Sequence, residues 1–400
     1  MRLLSKVFEK NELKYLGKFY LNTLIIRALA LMMVFLAFYF LSIGFNLFQI
    51  GLLISAQGIG SLLFEIPTGA IADLFGRKKS VILGHLSQAI VILCIYFTTN
   101  FYFVLILFFL IGVTETLMSG AYEAWIIDNL KYKKKNNLIK EYFIKRTSIG
   151  NLGWIIAGLV GALLVKLFGL NIIWLATCLA LVLAVIPLII TKEHRIKNKT
   201  KIKESILSQS KKAIKFSIKH HIMKILFICL FIVIVWSTFA GPSIVWQPFL
   251  KELGISEYIY GFVFTIMGVA GILSPFLIKP LGRLIKKESR QLAILRIFTI
   301  LILLSVLFIN NYIIAAIILA LTLFIGQMFW PIHAHFMQKQ IPSKIRATTT
   351  SIESMIISLA YIIVFPLVGF IADTIGLRLT ISLSGIILIP AIILYWRLNK

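Results

Sequence analysis

Apolar residues form long runs along the chain, separated by short groups of charged residues, Gly, Asn or Pro. Each run has about 20 residues, and at about 1.5 Å per residue this length crosses the roughly 30 Å hydrocarbon core of a bilayer. The pattern predicts twelve membrane-spanning helices, which we number as spans 1 to 12. They cover residues 19–41, 47–72, 80–98, 101–127, 145–165, 170–191, 223–248, 258–278, 291–309, 311–337, 348–371 and 377–396.

One long polar stretch, residues 192–222, divides the spans into two sets of six. We therefore predict an all-α membrane protein with two six-helix bundles, residues 1–191 and 223–400, joined by a basic linker. Four isoleucines recur in the linker at multiples of four residues, a spacing typical of an amphipathic helix on an anionic membrane surface. They are Ile202, Ile206, Ile214 and Ile218. A membrane-surface tether is favoured over a regulatory switch.

The composition supports a membrane protein, because 60% of the 400 residues are apolar and 14% are charged. Soluble proteins carry about 25% charged residues. The net charge of +26 would also suit a nucleic-acid-binding protein, but the loops distribute it unequally. If successive loops alternate between two sides, one side holds nearly all of the Lys and Arg residues, and the other holds Lys166, Lys251 and Arg378. The positive-inside rule then predicts that both termini are cytoplasmic.

The same features limit the cofactors and partners. Cys94, Cys178 and Cys229 fall inside predicted spans at unrelated spacings, so we predict neither a disulfide nor a metal site. The sequence has no nucleotide-binding loop, so we expect a proton or ion gradient as the energy source and no cofactor. The expected partners are a small-molecule substrate and the lipid bilayer, without nucleic acid. We expect a monomer that crosses the cell (inner) membrane many times.

The segment 67–79, PTGAIADLFGRKK, lies at the inner end of span 2 and continues into the short loop before span 3. Gly69 and Asp73 are four residues apart on one helix face, so Gly69 allows a neighbouring helix to approach while Asp73 lies at the rim. Gly76 permits a sharp turn. Basic residues then keep the loop on the cytoplasmic side. They are Arg77, Lys78 and Lys79.

At this segment the chain resembles the major facilitator superfamily, whose loop between helices 2 and 3 has the signature G-x-x-x-D-x-x-G-R-[KR]-[KR]. Every position of the signature is met. The resemblance implies two bundles that rock about a central cavity, so that the substrate site faces one side at a time. It also implies that Asp73 is a latch, which contacts the inner end of span 11 near 346–351 in the outward-facing state. The alternative is a plain turn with topogenic charges.

Two further segments repeat part of the signature. Between spans 8 and 9, Gly282 and Arg283 match the glycine and arginine, but Lys279 occupies the place of the aspartate. The spacing recurs again between spans 11 and 12, at Gly369, Asp373, Gly376 and Arg378. The predicted topology places this last copy outside, where it cannot serve an inner gate, and we interpret it as a turn.

Charged residues inside spans need a partner or a cavity, since each costs about 2.5–3.5 kcal/mol at mid-membrane. Arg27 in span 1, Glu65 in span 2 and Glu123 in span 4 fall at similar depths in the inner half of the bilayer. We predict a buried network among these three residues. It either couples transport to protons or ions, or fixes the helix register as a structural ion pair.

Glu115 lies near the middle of span 4, with Ser119 and Tyr122 on the same helix face. We predict that Glu115 is the acid of a substrate cavity, where it binds a proton or a cationic substrate. The alternative is a carboxyl group bonded to a neighbouring helix. The segment 119–128, SGAYEAWIID, resembles facilitators related to drug antiporters.

Two features depart from that drug-antiporter group. Phe109, three residues before Gly112, occupies a position that is usually basic there, and Arg27 would have to supply the charge. The glycines of span 5 lack the proline and the spacing of the antiporter motif, and close helix packing explains them. They are Gly150, Gly153, Gly158 and Gly161.

In the second half, span 10 offers the main polar and aromatic groups. Gln327 and Trp330 are predicted to line the cavity, although an aromatic belt at the membrane interface would also explain the tryptophan. His333 and His335 lie toward the inner rim, where we expect solvated histidines.

Export of a lipophilic or cationic compound in exchange for protons is the leading prediction, and it rests on Glu115 and an apolar, aromatic cavity. The alternative is uptake of a metabolite with protons or sodium, but a sugar or anion site would show more Asn, Gln and Arg in the helix centres. An intramembrane enzyme or a channel is expected least. The spans show no catalytic constellation, and the chain duplicates itself internally.

Overall fold

A computed structural model of the chain describes residues 8–9, 11–194, 221–240, 244–341 and 346–398, without the side chains at 240, 275, 338, 346–352 and 354. These residues form helices and turns, with no β-strand among them. They include 11 segments that are long and apolar enough to cross a membrane, and a bent helix pair that would make 12. The prediction of an all-helical chain is confirmed, and its twelve spans match the upper count.

Eight helices lie in the described part of the chain before residue 190. They are α1 Glu12–Ala28, α2 Leu31–Ser42, α3 Leu47–Phe75, α4 Arg77–Tyr96, α5 Phe101–Met118, α6 Ala121–Tyr132, α7 Asn137–Phe168 and α8 Ile172–Ile189. The remaining helices are α9 His221–Ala240, α10 Trp246–Glu252, α11 Glu257–Leu273, α12 Ile278–Leu284, α13 Glu288–Ser305, α14 Tyr312–Gln340, α15 Arg346–Ile375, α16 Leu377–Ser384 and α17 Ile389–Arg397. Short 3-10 segments follow α11, α13 and α16.

Before residue 190, two predicted spans are interrupted. Span 1 divides into α1 and α2 at residues 29–30, and span 4 divides into α5 and α6 at residues 119–120. At the first break the Met32 amide donates to the Thr177 hydroxyl of α8 at 3.2 Å. At the second, Gly120 has a φ of 20°. Each run still forms one candidate span, Glu12–Ser42 and Phe101–Tyr132, so the predicted spans stand. Hydropathy did not report the change of backbone geometry inside them.

The chain divides into two compact units. Unit 1 comprises residues 1–39, 56–198 and 257–268, and unit 2 comprises residues 40–55, 199–256 and 269–400. Helix α3 therefore contributes its first nine residues to unit 2 and the rest to unit 1. The predicted bundle limits at 191 and 223 stay a prediction, and residues 195–220 of the linker lie outside the described part of the chain.

Aromatic packing and close helix contacts build unit 1. The ring of Phe19 packs edge-on against Tyr122 and Trp125, with centroids 5.8 and 5.1 Å away. A methyl group at Gly153 in α7 would lie 3.3 Å from the Ala28 nitrogen of α1. Three of the span 5 glycines meet neighbouring chain segments in this way, as close packing predicts, whereas Gly150 has open space around it among the described residues. In unit 2, buried side chains of α9 pack against α15.

Candidate functional site

A cavity of about 370 Å³ lies within unit 1 and borders both helix breaks. Helices α1, α2, α4, α5, α6, α7 and α8 contribute side chains to its wall. Broken helices are tolerated at membrane depth where they line a cavity, because the freed backbone groups find other partners there. The polar lining residues are Asn22, Thr23, Arg27, His85, Gln88, Glu115, Ser119, Tyr122, Arg146 and Thr177.

Glu115 is bonded to two neighbouring helices as well as facing this cavity. Its Oε1 accepts from Gln57 Nε2 of α3 at 2.9 Å and lies 3.5 Å from Gln88 Nε2 of α4. Helix α3 can reach so close to α5 because Gly112 has no side chain: a methyl group there would lie 2.8 Å from the Ser61 nitrogen. Glu115 therefore faces a cavity and is also bonded to neighbouring helices, so its position agrees with both interpretations of the sequence. Its role in binding a proton or a cation stays a prediction.

Arg27 supplies a positive charge to the same cavity. It lies in the last turn of α1, just before the first helix break. Its guanidinium carbon is 4.8 Å from the centre of the Trp154 ring of α7, a cation–π arrangement. Arg27 and Glu115 both line this cavity. The charge that Phe109 does not provide is therefore present on another helix.

The predicted network of Arg27, Glu65 and Glu123 is wrong. Glu123 forms an ion pair with Arg146 of α7. Glu65 is exposed and lines a separate cavity of about 190 Å³. The prediction compared only the depths of charged residues in spans 1, 2 and 4, and it did not consider Arg146 at the start of span 5, which pairs with Glu123 in the structure.

Three other cavity residues differ in exposure and hydrogen bonding. Tyr122 is 8% exposed, and its hydroxyl donates to the Phe19 carbonyl at 2.9 Å, so its polar group is occupied by the backbone. Ser119 lies at the second helix break and is exposed. His85 is 4% exposed, and its Nδ1 has no hydrogen-bond partner among the described residues. Sequence reasoning missed His85, although a histidine inside an apolar span was a visible signal.

The segment 67–79 forms the predicted turn. Gly76 has a φ of 113° between α3 and α4, a backbone conformation that favours glycine. The Arg77 guanidinium lies between two carboxylates, with Nε 3.8 Å from Asp73 Oδ1 and a nitrogen 2.5 Å from Asp128 Oδ2. Arg77 therefore ties this turn to the end of α6.

The start of α4 has two further contacts. Glu193 Oε1 accepts from the Arg77 amide at 2.9 Å, and Lys78 Nζ donates to the Ile189 carbonyl at 2.5 Å. Gly69, in contrast, has open space at its missing side chain within the described part of the chain. The predicted latch partners, the side chains at 346–351, lie outside the described residues, so the latch stays a prediction.

Unit 2 contains the remaining predicted residues. Gln327 and Trp330 lie on α14, and both are exposed. The structure does not include either one in the lining of the unit 1 cavity.

His333 is fully buried, with the Tyr395 hydroxyl 3.3 Å from its Nδ1, so the prediction of a solvated histidine is wrong there. His335 fits that prediction, because it is exposed and bonds to Glu288 at 2.7 Å.

Sequence reasoning also missed Arg296. This residue lies in α13 and is 1% exposed. Its guanidinium carbon is 3.8 Å from the centre of the Phe329 ring and 4.8 Å from that of Trp236. Two aromatic faces thus replace the carboxylate that a buried arginine usually pairs with. The position was visible as an arginine inside span 9.

The Major Facilitator Superfamily model matches residues 21–338 and 226–400. The chain belongs to this superfamily. It is a secondary transporter that crosses the membrane many times, and not an enzyme. Within the described residues there is no group of three or more His, Cys, Asp or Glu side chains that could hold a metal ion.

Two curated facilitators are similar in sequence. The uncharacterised MFS-type transporter YxaM of Bacillus subtilis is 24% identical over 367 residues, which cover 89% of each chain. The multi-drug resistance efflux pump PmrA of Streptococcus pneumoniae is 24% identical over 239 residues, 59% of this chain and 57% of the pump. A crystal structure of the nucleoside transporter NupG has the same fold, with a TM-score of 0.77 at 13% identity over 96% of this chain and 98% of NupG.

Proposed function

We propose that this facilitator exports a lipophilic or cationic compound in exchange for protons. The observation that carries the proposal is Glu115, a carboxylate at a cavity that apolar and aromatic side chains line together with polar ones. Such a group binds either a proton or a cation, and the two therefore compete. The sequence similarity to a multidrug efflux pump supports the same direction of transport.

The surroundings of Glu115 suit this exchange. Gln57 and Gln88 point amide groups at one of its oxygens. Arg27 lines the same cavity. A substrate cation that enters the cavity meets this negative charge. Protonation of Glu115 then removes the attraction and releases the cation.

Transport by inverted membrane vesicles tests this function. We expect a fluorescent cation from a mixed panel of cations and metabolites to accumulate when the vesicle interior is made acidic, and to leave when the gradient is collapsed. Vesicles without the protein are the control. The proposal would be contradicted if the vesicles transported only metabolites, and transported them out of the acidic interior together with protons.

A second function has one observation in its favour. Asn22, His85 and Gln88 add more polar groups to the cavity than the sequence led us to expect, and a metabolite taken up by symport would use such groups. If the protein is a symporter, the same vesicle assay should show protons and a neutral metabolite moving in the same direction.

We further propose that both termini are cytoplasmic, in a monomer within the cell membrane, because the basic loops lie on one side of the predicted topology. Cysteines introduced near Lys133, after α6, should react with an impermeant thiol reagent only from the cytoplasm. Cysteines near Asn310, before α14, should react only from outside. Labelling of both from one face would contradict the orientation and the twelve-span topology.

A further inference from the structure

The first turn of α3 receives a carboxylate from α15. Asp373 accepts from the Leu47 amide at 3.2 Å and from the Phe48 amide at 2.9 Å, one through each oxygen. The next amide, of Gln49, donates to the Asn46 side chain at 2.8 Å. The first three N–H groups of α3, which have no partner inside the helix, are thus all satisfied by side chains. A negative charge at this end also interacts favourably with the helix dipole.

Beside this cap, α3 and α15 pack closely through small residues. A methyl group at Gly369 would lie 2.7 Å from the Phe48 Cα, and one at Gly51 would lie 2.7 Å from the Pro366 Cα. Further along α3, the Ser55 hydroxyl donates to the Ile362 carbonyl at 2.5 Å. Small residues at successive turns let the two backbones approach. All of these residues belong to unit 2.

The α15 segment repeats the signature at the end of α3. Residues 69–76 read GAIADLFG, and residues 369–376 read GFIADTIG. In both copies the last glycine ends a long helix with a positive φ, 113° at Gly76 and 86° at Gly376. An arginine follows each glycine, directly in the first copy and after Leu377 in the second.

The two copies differ in what they contact. In the first, the Asp73 side chain is 74% exposed, and Gly69 faces open space among the described residues. In the second, Asp373 caps α3 and Gly369 is packed against it. Arg378 then joins the turn to the end of α13, since it donates to the Leu307 carbonyl at 3.0 Å and to the Asn310 side chain at 2.9 Å.

We propose that Asp373 is a positioning residue of an outer latch, formed by residues 369–378 and the first turn of α3. The latch holds the outer ends of α3 and α15 together, and it must release before the cavity opens to the outside. It is the counterpart of the loop 67–79 on the cytoplasmic side, and the two engage in alternation. This inference rests on the alternating transport and the orientation proposed above.

Thiol accessibility in whole cells tests the outer latch without any substrate. Cys94, Cys178 and Cys229 are first replaced by serine, and Ser55→Cys then places one thiol beside the packed part of α3, where the serine is 5% exposed. Asp373→Ala should raise the rate of labelling by an impermeant reagent added outside about 5- to 30-fold, the population change expected for loss of a helix cap. Asp373→Asn should have a smaller effect, because it retains one acceptor oxygen.

Two further variants make the result specific. Asp73→Asn should lower the labelling rate, since loss of the inner latch favours the state that is closed outside. Thr374→Ala is the matched control and should leave it unchanged, because its hydroxyl bonds only within α15 in the described structure. Unchanged labelling in Asp373→Asn and Asp373→Ala, or shifts of the same sign for Asp73 and Asp373, would overturn the latch. A shift in labelling without proton-coupled transport would instead reject the proposed efflux and keep the latch.

Discussion

Glu115→Gln is expected to abolish pH-driven transport, to the level of vesicles without the protein, while the amount of protein in the membrane stays unchanged. The amide has the size of the carboxyl group and keeps an oxygen that can accept from Gln57. It cannot take up or release a proton, and it no longer attracts a cation. The measurement is accumulation of a fluorescent cation by inverted vesicles under a pH gradient, together with protein abundance.

Glu65→Gln is the matched control for this result. It makes the same chemical change at an exposed acid that lines a different cavity, so we expect transport close to that of the wild type. If Glu115→Gln retains full proton-coupled transport, Glu115 is not the coupling residue. If both variants lose transport equally, removal of either acid from unit 1 impairs the protein. The result would then give no specific role to Glu115 in the cavity.

The fold was predictable because the bilayer requires long apolar helices, and length and hydropathy both report them. The predicted span 10, residues 311–337, matches α14, Tyr312–Gln340, within three residues. The helix breaks were not predictable in this way. Residues 29–30 are as apolar as their neighbours, and the amide beside the break bonds to Thr177 of α8, which is distant in sequence.

The candidate site was predictable only in part, for a related reason. The cost of a charge in the membrane identified Arg27 and Glu115 from single positions. The ion-pair partners of charged residues could not be predicted in this way, because they depend on how the helices pack. Arg146, at the start of predicted span 5, was not considered as a partner, and the ion pair with Glu123 was therefore missed. The sequence shows Asp373 as part of a repeated motif. It does not show that Asp373 contacts α3, because that contact joins residues distant in sequence.

A buried cluster near the start of α1 shows the same limit and gives the second large effect. Glu12 is fully buried and pairs with Lys145 of α7, whose side chain is 14% exposed. The carboxylate also accepts from the Tyr20 hydroxyl at 2.8 Å. Lys145 lies 3.2 Å from Glu141 as well. In the sequence, Glu12 precedes the first predicted span, and Lys145 is the first residue of predicted span 5, so nothing in the pattern joins the two.

Lys145→Met should therefore destabilise the protein strongly, by about 3–5 kcal/mol, because it leaves the Glu12 carboxylate buried without its main counter-charge. We expect a large fall in folded yield and in melting temperature, measured by size-exclusion chromatography after heating the detergent-solubilised protein. Glu12→Gln in the same chain should restore most of the loss, since a neutral amide needs no counter-charge and can still accept from Tyr20.

Arg146→Met is the matched control. Its side chain and that of its partner Glu123 are 37% and 42% exposed, and such ion pairs contribute about 0–1 kcal/mol. An equal loss in Arg146→Met, or no recovery with Glu12→Gln, would show that the buried carboxylate is not the cause.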